Sequence, residues 1–208
     1  EATQALISGE LDMAIAGGIE LLLDEWAHVG FSKSGVLSAD GRCYVFDQRA
    51  NGIVLGEGAG LVLLKSLSRA TNDQDQIFAT ISASAINNDG QDKVGFTAPS
   101  VNGQSQVLAD ALHLADVQPD EVEMIETHGT GTKLGDPIEV TAIKNAYSRS
   151  SGAPVCHLGS VKSGLGHLDT AAGIASLIKT VLSVSRKKIP MSLNIAQPNP
   201  ELRLDGSG

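Results

Sequence analysis

The feature that most constrains the fold of this chain is the alternation of short apolar runs with longer segments of helical spacing. Residues 122–126 and 155–160 are short runs that predict buried strands. Each is followed by a segment with apolar residues at helical spacing, residues 137–147 and 168–185. Strands that alternate with helices in this way predict an α/β fold around a buried sheet.

The rest of the chain continues the alternation. Further helices are predicted at residues 2–8 and 104–114, further strands at 12–19, 58–67 and 77–86, and turn-rich or irregular segments at 30–51, 87–100 and 190–208. Both long helices carry apolar residues on most faces, which predicts layers on both sides of at least one of them. A five-layered α/β/α/β/α sandwich satisfies this pattern, and so does a doubly wound fold.

Composition argues against several classes of function. The 208 residues suffice for one sizeable domain, and a net charge of −9 without any basic run argues against nucleic-acid binding. The longest apolar run, residues 171–184, contains Lys179 and several serines, which predicts a buried helix and no membrane span. Two cysteines without metal-ligand spacing predict a cytoplasmic protein with no metal site.

The first candidate site is the Gly-rich turn that contains His128. The sequence ETHGTGT (126–132) follows a predicted strand, so His128 falls at a strand end, where ligands gather in α/β sheets. Gly129 and Gly131 permit close approach of a ligand, and the threonines supply hydroxyl groups. An incidental histidine in a tight turn explains the same residues, and local features alone leave both interpretations open.

The next residues predict the start of a helix. Asp136 suits the N-cap position, Pro137 suits the first helical position, and Glu139 completes a capping box. Glu139 also points back toward the loop that holds His128, which allows it a second role.

The second candidate site repeats the pattern of the first. In GSVKSGLGH (159–167) a predicted strand ends in a Gly-rich turn, and His167 is predicted to lie near the N-terminus of the long helix. The positive end of the helix dipole disfavours a charged imidazolium, and a neutral imidazole can donate an N–H to a developing oxyanion. Lys162 precedes His167 by five residues on the same turn. A helix-capping histidine and a solvated lysine are the alternatives that involve no function.

Four ordered segments resemble the β-ketoacyl synthases, and especially the ketosynthase domains of modular polyketide synthases. They are ETHGTGTKLGDPIE (126–139), GSVKSGLGHLDTAAG (159–173), GRCYVFDQRANGIVLGEGAG (41–60) and INNDGQDKVGFTAPS (86–100). The resemblance runs in order through essentially the whole chain, so it is far more specific than a single short match.

The resemblance implies a thiolase-like fold of two related α/β halves packed as a five-layered sandwich. Residues 1–70 would then be the end of the N-terminal half, and residues 71–208 most of the C-terminal half. It also implies a decarboxylative Claisen condensation, in which a malonyl unit carried on the phosphopantetheine arm of an acyl carrier protein extends an acyl chain held on a cysteine. No cofactor bound by the domain itself is implied. The expected partners are the acyl carrier protein, a second copy in a homodimer and other polyketide synthase domains.

Site residues follow from the resemblance position by position. His128 and His167 match the two catalytic histidines, which stabilise the enolate oxyanion. Lys162 matches the lysine that organises the second histidine, and Glu139 matches an acidic residue near that lysine. An ion pair between Glu139 and Lys162 would keep the lysine charged. The hydroxyls of two further residues, Thr130 and Thr132, match groups that bind the pantetheine arm.

The chain departs from the family pattern at the nucleophile. No small-residue motif with a cysteine precedes the first helix, and Cys43 and Cys156 are predicted to be structural because neither lies near a base or a helix N-terminus. The chain is therefore expected to be a fragment that lacks the nucleophilic segment and is inactive by itself. Cut strands would also leave sheet edges exposed.

Two alternatives stay open on the sequence alone. A non-condensing decarboxylase or chain-length partner subunit of the same fold would bind acyl carrier protein or acyl chains without joining them, but such partners usually lose catalytic residues that are present here. A thiolase-like enzyme acting on acetyl-coenzyme A would generally use a second cysteine where this chain has a second histidine.

Overall fold

The structure, a computed structural model, describes residues 1–90, 99–148, 152 and 154–204. Most of the predicted helices and strands are present in the predicted order, together with short helices at residues 26–33, 67–72 and 162–165 that the sequence pattern did not predict. In chain order they are α1 (Ala2–Ile7), β1 (Met13–Glu20), α2 (Trp26–Lys33), β2 (Gly58–Lys65), α3 (Leu67–Asn72), α4 (Val101–Ala115), β3 (Met124–Glu126), α5 (Gly135–Ala146), β4 (His157–Gly159), α6 (Lys162–Leu165) and α7 (Ala172–Arg186). Short 3₁₀ turns occupy Pro119–Glu121, Asp169–Ala171 and Pro200–Leu202.

The first sheet is an antiparallel pair formed by β1 and β2. The register runs from Met13 opposite Lys65 to Glu20 opposite Gly58. Helix α7 packs on one face of this pair. Gly60 permits the close approach, because a Cβ atom there would lie 2.8 Å from the Cδ1 atom of Ile178 on α7. The opposite face is apolar and exposed in the described chain.

The second sheet is a parallel pair formed by β3 and β4. Met124 lies opposite His157, and Glu126 lies opposite Gly159. Because parallel strands end at the same edge of a sheet, the turns that follow β3 and β4 lie side by side. Helix α7 contacts β1, β2 and β3, so it lies between the two sheets. This confirms the prediction that a long helix has a layer on each of two sides.

The irregular segment of residues 43–47 is deeply buried in the core. The side chains of Cys43, Tyr44, Val45, Phe46 and Asp47 are each at most 7% exposed, although they belong to no helix or strand. A buried irregular backbone needs hydrogen-bond partners outside regular structure. Here some of them come from carboxylates: the Phe46 amide donates to Asp136 at 2.8 Å, and the Arg49 amide donates to Asp47 at 2.9 Å.

Asp47 joins this segment to the end of the described chain. Its carboxylate is fully buried and accepts the backbone amides of Ala196 at 2.6 Å and Gln197 at 3.0 Å. It also forms an ion pair with Arg49, whose Nε atom lies 2.7 Å away. The Arg49 guanidinium lies over the ring of Tyr44 at 4.4 Å. One buried charge thereby holds two distant parts of the sequence together.

One predicted strand is absent from the described residues, and one predicted turn-rich segment starts later than expected. The alternating pattern predicts a strand over residues 77–86, but they make no strand pairing within the described residues, because no neighbouring strand lies beside them. Their large apolar side chains stay open to solvent, from 43% for Ile77 to 94% for Ile86. The turn-rich segment predicted from residue 30 starts later, because α2 continues to Lys33. Most of the loop predicted at 87–100 lies outside the described residues.

Within the described ranges, no helix is both long and apolar enough to cross a bilayer; the longest, α4 and α7, have 15 residues each.

Candidate active site

The structure brings the two candidate histidines together. The ring centroids of His128 and His167 lie 5.3 Å apart, and the rings are nearly perpendicular, with an interplanar angle of 89°. His128 follows β3 by two residues, and His167 follows the short helix α6. Both Gly-rich segments therefore contribute to one site.

Hydrogen bonds between the two turns fix their spacing. The amide and the hydroxyl of Thr127 both donate to the carbonyl of Gly159, at 2.8 and 2.9 Å. In return, the Ser160 hydroxyl lies 3.0 Å from the Gly129 carbonyl and 3.3 Å from that of His128. The His128 turn and the turn after β4 are thus bonded to each other in both directions.

Gly129 is a position where only glycine fits. Its φ angle is +43°, a region that disfavours residues with a Cβ atom. A Cβ atom there would also lie 2.6 Å from the Cβ of Ser160 and 2.8 Å from a methyl group of Val45. The close contact between the turns requires the missing side chain.

His167 is held by its backbone and by one ring nitrogen. Its amide donates to the Val54 carbonyl at 2.6 Å, and its carbonyl accepts the Gly56 amide at 3.0 Å. The Asp169 amide donates to the Nδ1 atom of His167 at 3.0 Å. Since Nδ1 is an acceptor, the proton of the neutral ring lies on Nε2.

His167 lies near the N-terminus of the long helix, as predicted, but five residues before it, so the predicted effect of the helix dipole is wrong. Helix α7 begins at Ala172, and a 3₁₀ turn at Asp169–Ala171 separates it from His167. A helix dipole acts mainly within the first turn of its helix, so it does not account for a neutral His167.

Desolvation and a buried cation keep both imidazoles neutral instead. Although part of His128 is exposed to solvent, desolvation by the protein around it is the largest effect and, with the positive charge of Lys162 and the neighbouring His167, lowers its pKa to about 4. The pKa of His167 is also lowered, first by desolvation and then by Lys162, while Asp169 opposes the shift. Both rings are therefore uncharged near neutral pH and can donate N–H groups.

Lys162 is the first residue of α6 and is only 2% exposed. Burial lowers the pKa of its ammonium group, and the nearby carboxylates of Glu139 and Glu126 act in the opposite direction. The ammonium group forms no ion pair with Glu139 among the described residues. The two groups interact through their charges across a longer distance.

The predicted capping roles of Asp136 and Glu139 are wrong, because both carboxylates are engaged by backbone amides of other segments. Helix α5 begins at Gly135, and the side chains of Asp136 and Glu139 do not cap it. Asp136 is fully buried and accepts the Gly131 amide at 3.1 Å in addition to that of Phe46. Glu139 accepts the amides of His128 at 2.6 Å and Gly129 at 2.8 Å. Glu139 therefore orients the His128 turn directly.

Thr130 and Thr132 lie side by side at the same turn. Their hydroxyl oxygens are 3.0 Å apart, and the Thr132 hydroxyl accepts the Gly135 amide at 3.1 Å. Both residues are half-buried. The Thr132 hydroxyl therefore has a structural partner at the start of α5 besides any ligand it binds.

Neither cysteine has the surroundings of a reactive thiolate. Cys43 is 3% exposed, donates to the Thr130 carbonyl at 3.3 Å, and has its pKa raised to about 11, mainly by burial. Cys156 lines an apolar cavity of about 370 Å³ whose lining includes neither His128 nor His167. The prediction that both cysteines are structural agrees with this geometry.

Sequence reasoning missed several supporting residues: Asp47, Glu126, Ser160 and Lys179. Glu126 is the last residue of β3, and Ser160 directly follows β4. Both residues therefore adjoin the histidine motifs. That adjacency was a usable signal. Lys179 gave none, because its partner Glu126 is 53 positions away in the sequence. The link from Asp47 to Ala196 gave none either, because it spans 149 positions.

Comparison with protein families gives two matches that together cover most of the chain. The family described as "Beta-ketoacyl synthase, N-terminal domain" matches residues 1–70, and "Beta-ketoacyl synthase, C-terminal domain" matches residues 78–196.

Among curated proteins, the chain is similar to subunits of the phenolphthiocerol/phthiocerol polyketide synthase of Mycobacterium tuberculosis. It is 48% identical to one of these subunits over 99% of its own length and 14% of that protein. It is 47% identical to another over 97% of its own length and 11% of that protein. The chain thus spans about one seventh or less of the length of these relatives.

Solved ketosynthases have the same fold as this chain. The ketosynthase from module 1 of the bacillaene synthase of Bacillus amyloliquefaciens is 45% identical, with a TM-score of 0.92 over 99% of this chain and 37% of that one. An oxazolomycin ketosynthase domain from Streptomyces albus is 37% identical, with a TM-score of 0.93 over 97% and 35%. The α/β fold of the thiolase-like, five-layered class is confirmed; the described chain contributes part of it, including a helix between two sheets.

Proposed function

Because the chain belongs to the β-ketoacyl synthase family, a family of condensing transferases, we propose that it carries the decarboxylation centre of a polyketide ketosynthase. The centre consists of His128 and His167, supported by Lys162 and Glu139. The single observation that carries the proposal is the pair of neutral imidazoles with ring centroids 5.3 Å apart.

The proposed reaction starts from a malonyl thioester. The bond between the α-carbon and the carboxylate breaks, CO₂ leaves, and the electron pair passes into an enolate of the thioester. The N–H groups of His128 and His167 donate to the thioester oxygen where negative charge develops, which lowers the barrier. Donation by a neutral ring requires no prior loss of a proton, and the lowered pKa values supply that neutral state.

The second half of the reaction joins two carbon atoms. The enolate carbon attacks the carbonyl of an acyl chain held as a cysteine thioester, the cysteine leaves as a thiolate, and a β-ketoacyl thioester remains. Cys43 is unsuited to this role because its pKa is raised by burial, and Cys156 lines a different cavity. The nucleophile in this proposal is therefore a cysteine outside these 208 residues.

Substrate delivery in this proposal depends on the phosphopantetheine arm of an acyl carrier protein, with Thr130 and Thr132 as hydrogen-bonding groups for the arm. The half-burial of the two threonines beside the His128 turn supports this assignment. The domain binds no cofactor of its own in this scheme. A homodimer and other polyketide synthase domains complete the proposed assembly, in a cytoplasmic protein.

The role of His167 is tested in the full-length gene product that carries these residues. His167→Ala is expected to reduce CO₂ release from a malonyl thioester by about 100-fold or more, the typical effect of losing one oxyanion donor. Radiolabelled acyl loading of the cysteine should stay largely intact, since loading does not pass through the enolate. His157→Ala, at an exposed position on β4, is the matched control. Unchanged CO₂ release in His167→Ala refutes the proposal.

The position of the nucleophile has a separate test. Sequencing upstream of Glu1 should reveal an Ala-Cys-Ser-type motif. Its replacement by a sequence without cysteine would favour a decarboxylase that makes no carbon–carbon bond.

A further inference from the structure

Glu126 and Lys179 form an ion pair next to the His128 turn. The proposed reaction gives neither residue a role. The carboxylate of Glu126, the last residue of β3, is 5% exposed. Its Oε2 atom lies 2.5 Å from the Nζ atom of Lys179 on α7, and its Oε1 atom accepts the Val161 amide at 2.6 Å. Each oxygen of this carboxylate therefore contacts a different element.

These contacts join the elements that position the site. Glu126 precedes His128 by two residues, and Val161 immediately precedes Lys162. Glu126 lies opposite Gly159 in the parallel sheet, where a Cβ atom would lie 3.0 Å from the Lys179 Nζ and 3.4 Å from the Glu126 Oε2. The absence of a side chain at residue 159 leaves room for the ion pair. The pair thus fixes the start of α6 relative to the end of β3.

We propose that Glu126 and Lys179 are positioning residues of the decarboxylation centre. The carboxylate holds the Val161 N–H, this contact sets the start of α6, and α6 places Lys162 and His167 against His128. The ion pair with Lys179 fixes the orientation of this carboxylate. The effect on catalysis rests on the proposed function; the effect on the spacing of the two rings does not.

The charge of Glu126 also acts on Lys162. The groups that face the Lys162 ammonium are Glu139 and Asp136 on α5, Glu126 on β3, the thiol of Cys43, and the rings of His128 and His167. After Glu139, Glu126 is the strongest of the charges that raise the pKa of Lys162. Removing it lowers that pKa, so Lys162 loses its proton at a lower pH.

Three variants of the full-length protein separate positioning from general stability. Glu126→Gln keeps the side-chain shape but loses the charge, which weakens the hydrogen bond from the Val161 N–H and removes the ion pair with Lys179. Lys179→Met removes the ion pair from the other side, and Lys179→Arg retains it. Lys65→Met is the matched control, because Lys65 forms an ion pair with Asp75 in a part of the chain remote from the two turns.

For CO₂ release from a malonyl thioester, we expect kcat to fall about tenfold in Glu126→Gln and Lys179→Met with little change in KM. We assign the fall in rate at high pH to loss of the Lys162 proton, so this limb should move to lower pH in Glu126→Gln. Lys179→Arg should recover most of the rate. A pair that only stabilises the fold would lower the unfolding midpoint and leave the pH profile in place. Wild-type kcat and pH profile in Glu126→Gln would overturn the inference.

Crystal structures of the variants test the positioning claim without any catalysis. The separation of the His128 and His167 ring centroids should differ from that in the wild type in Glu126→Gln and Lys179→Met, and match it in Lys65→Met. An unchanged separation in both variants overturns the inference even if the wild type is active. Failure of the wild type to release CO₂, with the separation altered as expected, refutes the proposed function alone.

Discussion

At the residue scale, the chemistry depends on two imidazoles that stay uncharged beside a buried ammonium group. Lys162 is 2% exposed, and its positive charge disfavours a second positive charge on either ring. The Asp169 amide bonded to Nδ1 leaves the proton of His167 on Nε2. One cation thus keeps the rings neutral, and one backbone amide selects which nitrogen of His167 donates.

Lys162→Met should raise the pKa of both histidines, because the charge that lowers them is removed. The rings would then become protonated at a higher pH as the solution is acidified, and the low-pH limb of CO₂ release should move upward. A pH–rate profile of the full-length variant measures this shift. Lys133→Met, at an exposed position of the same motif, should leave the limb in place. A limb that stays in place or moves downward in Lys162→Met contradicts the electrostatic account.

At the scale of elements, the site depends on two strand-end turns that are bonded to each other. β3 and β4 have only three residues each, so their backbone pairing alone holds the turns weakly. The additional contacts come from Thr127, Ser160 and Glu139, whose side chains bond the backbone of the opposite or the same turn. Gly129 makes the close approach of the turns possible.

Gly129→Ala should destabilise the fold and abolish CO₂ release. A positive φ angle alone costs about 1–2 kcal/mol for alanine, and the contacts with Ser160 and Val45 add to that cost. Gly41→Ala is the matched control, since Gly41 has a φ angle of +64° but no atom within 4 Å of the methyl group that alanine would add. Urea unfolding and CO₂ release of both variants separate backbone strain from steric clash. Equal losses in the two variants would contradict the role of the close approach.

The sequence predicted these elements well where the pattern was local. The strands predicted before the two histidine motifs are present as β3 and β4. The pattern failed where a partner far along the chain decides the outcome. Asp136 and Glu139 fit a capping box by spacing, but the amides of Phe46, His128 and Gly129 bind them instead. Likewise, the alternating residues 77–86 cannot form a strand without a neighbouring strand to pair with.

At the scale of the whole molecule, two sheets enclose α7, and Asp47 ties the irregular core segment to residues 196–197. Hydrogen bonds from Arg49, together with the two backbone amides, lower the pKa of the Asp47 carboxyl despite its burial. Since the pKa in the folded state lies below that in the unfolded chain, the stabilisation is complete above the unfolded value. It is lost as the pH falls toward the folded-state value.

Asp47→Asn should therefore lower the free energy of unfolding by about 2–4 kcal/mol at neutral pH, because the Arg49 guanidinium and two backbone amides lose their anion. The difference between variant and wild type should begin to shrink as the pH falls below the ordinary aspartate pKa, because Asp47 of the unfolded wild-type chain then takes up a proton while the folded chain keeps its carboxylate charged. Urea unfolding between pH 3 and pH 7, roughly the range around the ordinary aspartate pKa, measures both effects. Asp73→Asn, which removes an exposed partner of Lys65, should have a much smaller effect. A difference that grows in acid contradicts this account.

The central claim is that His128 and His167 bind one thioester oxygen. A crystal structure of the full-length protein, or of its ketosynthase domain, with a non-cleavable malonyl-pantetheine amide tests it most directly. The account predicts the amide oxygen at about 3 Å from a ring nitrogen of each histidine, with Nε2 as the donor of His167. An oxygen that contacts only one ring, or a ligand that binds away from both, would contradict it.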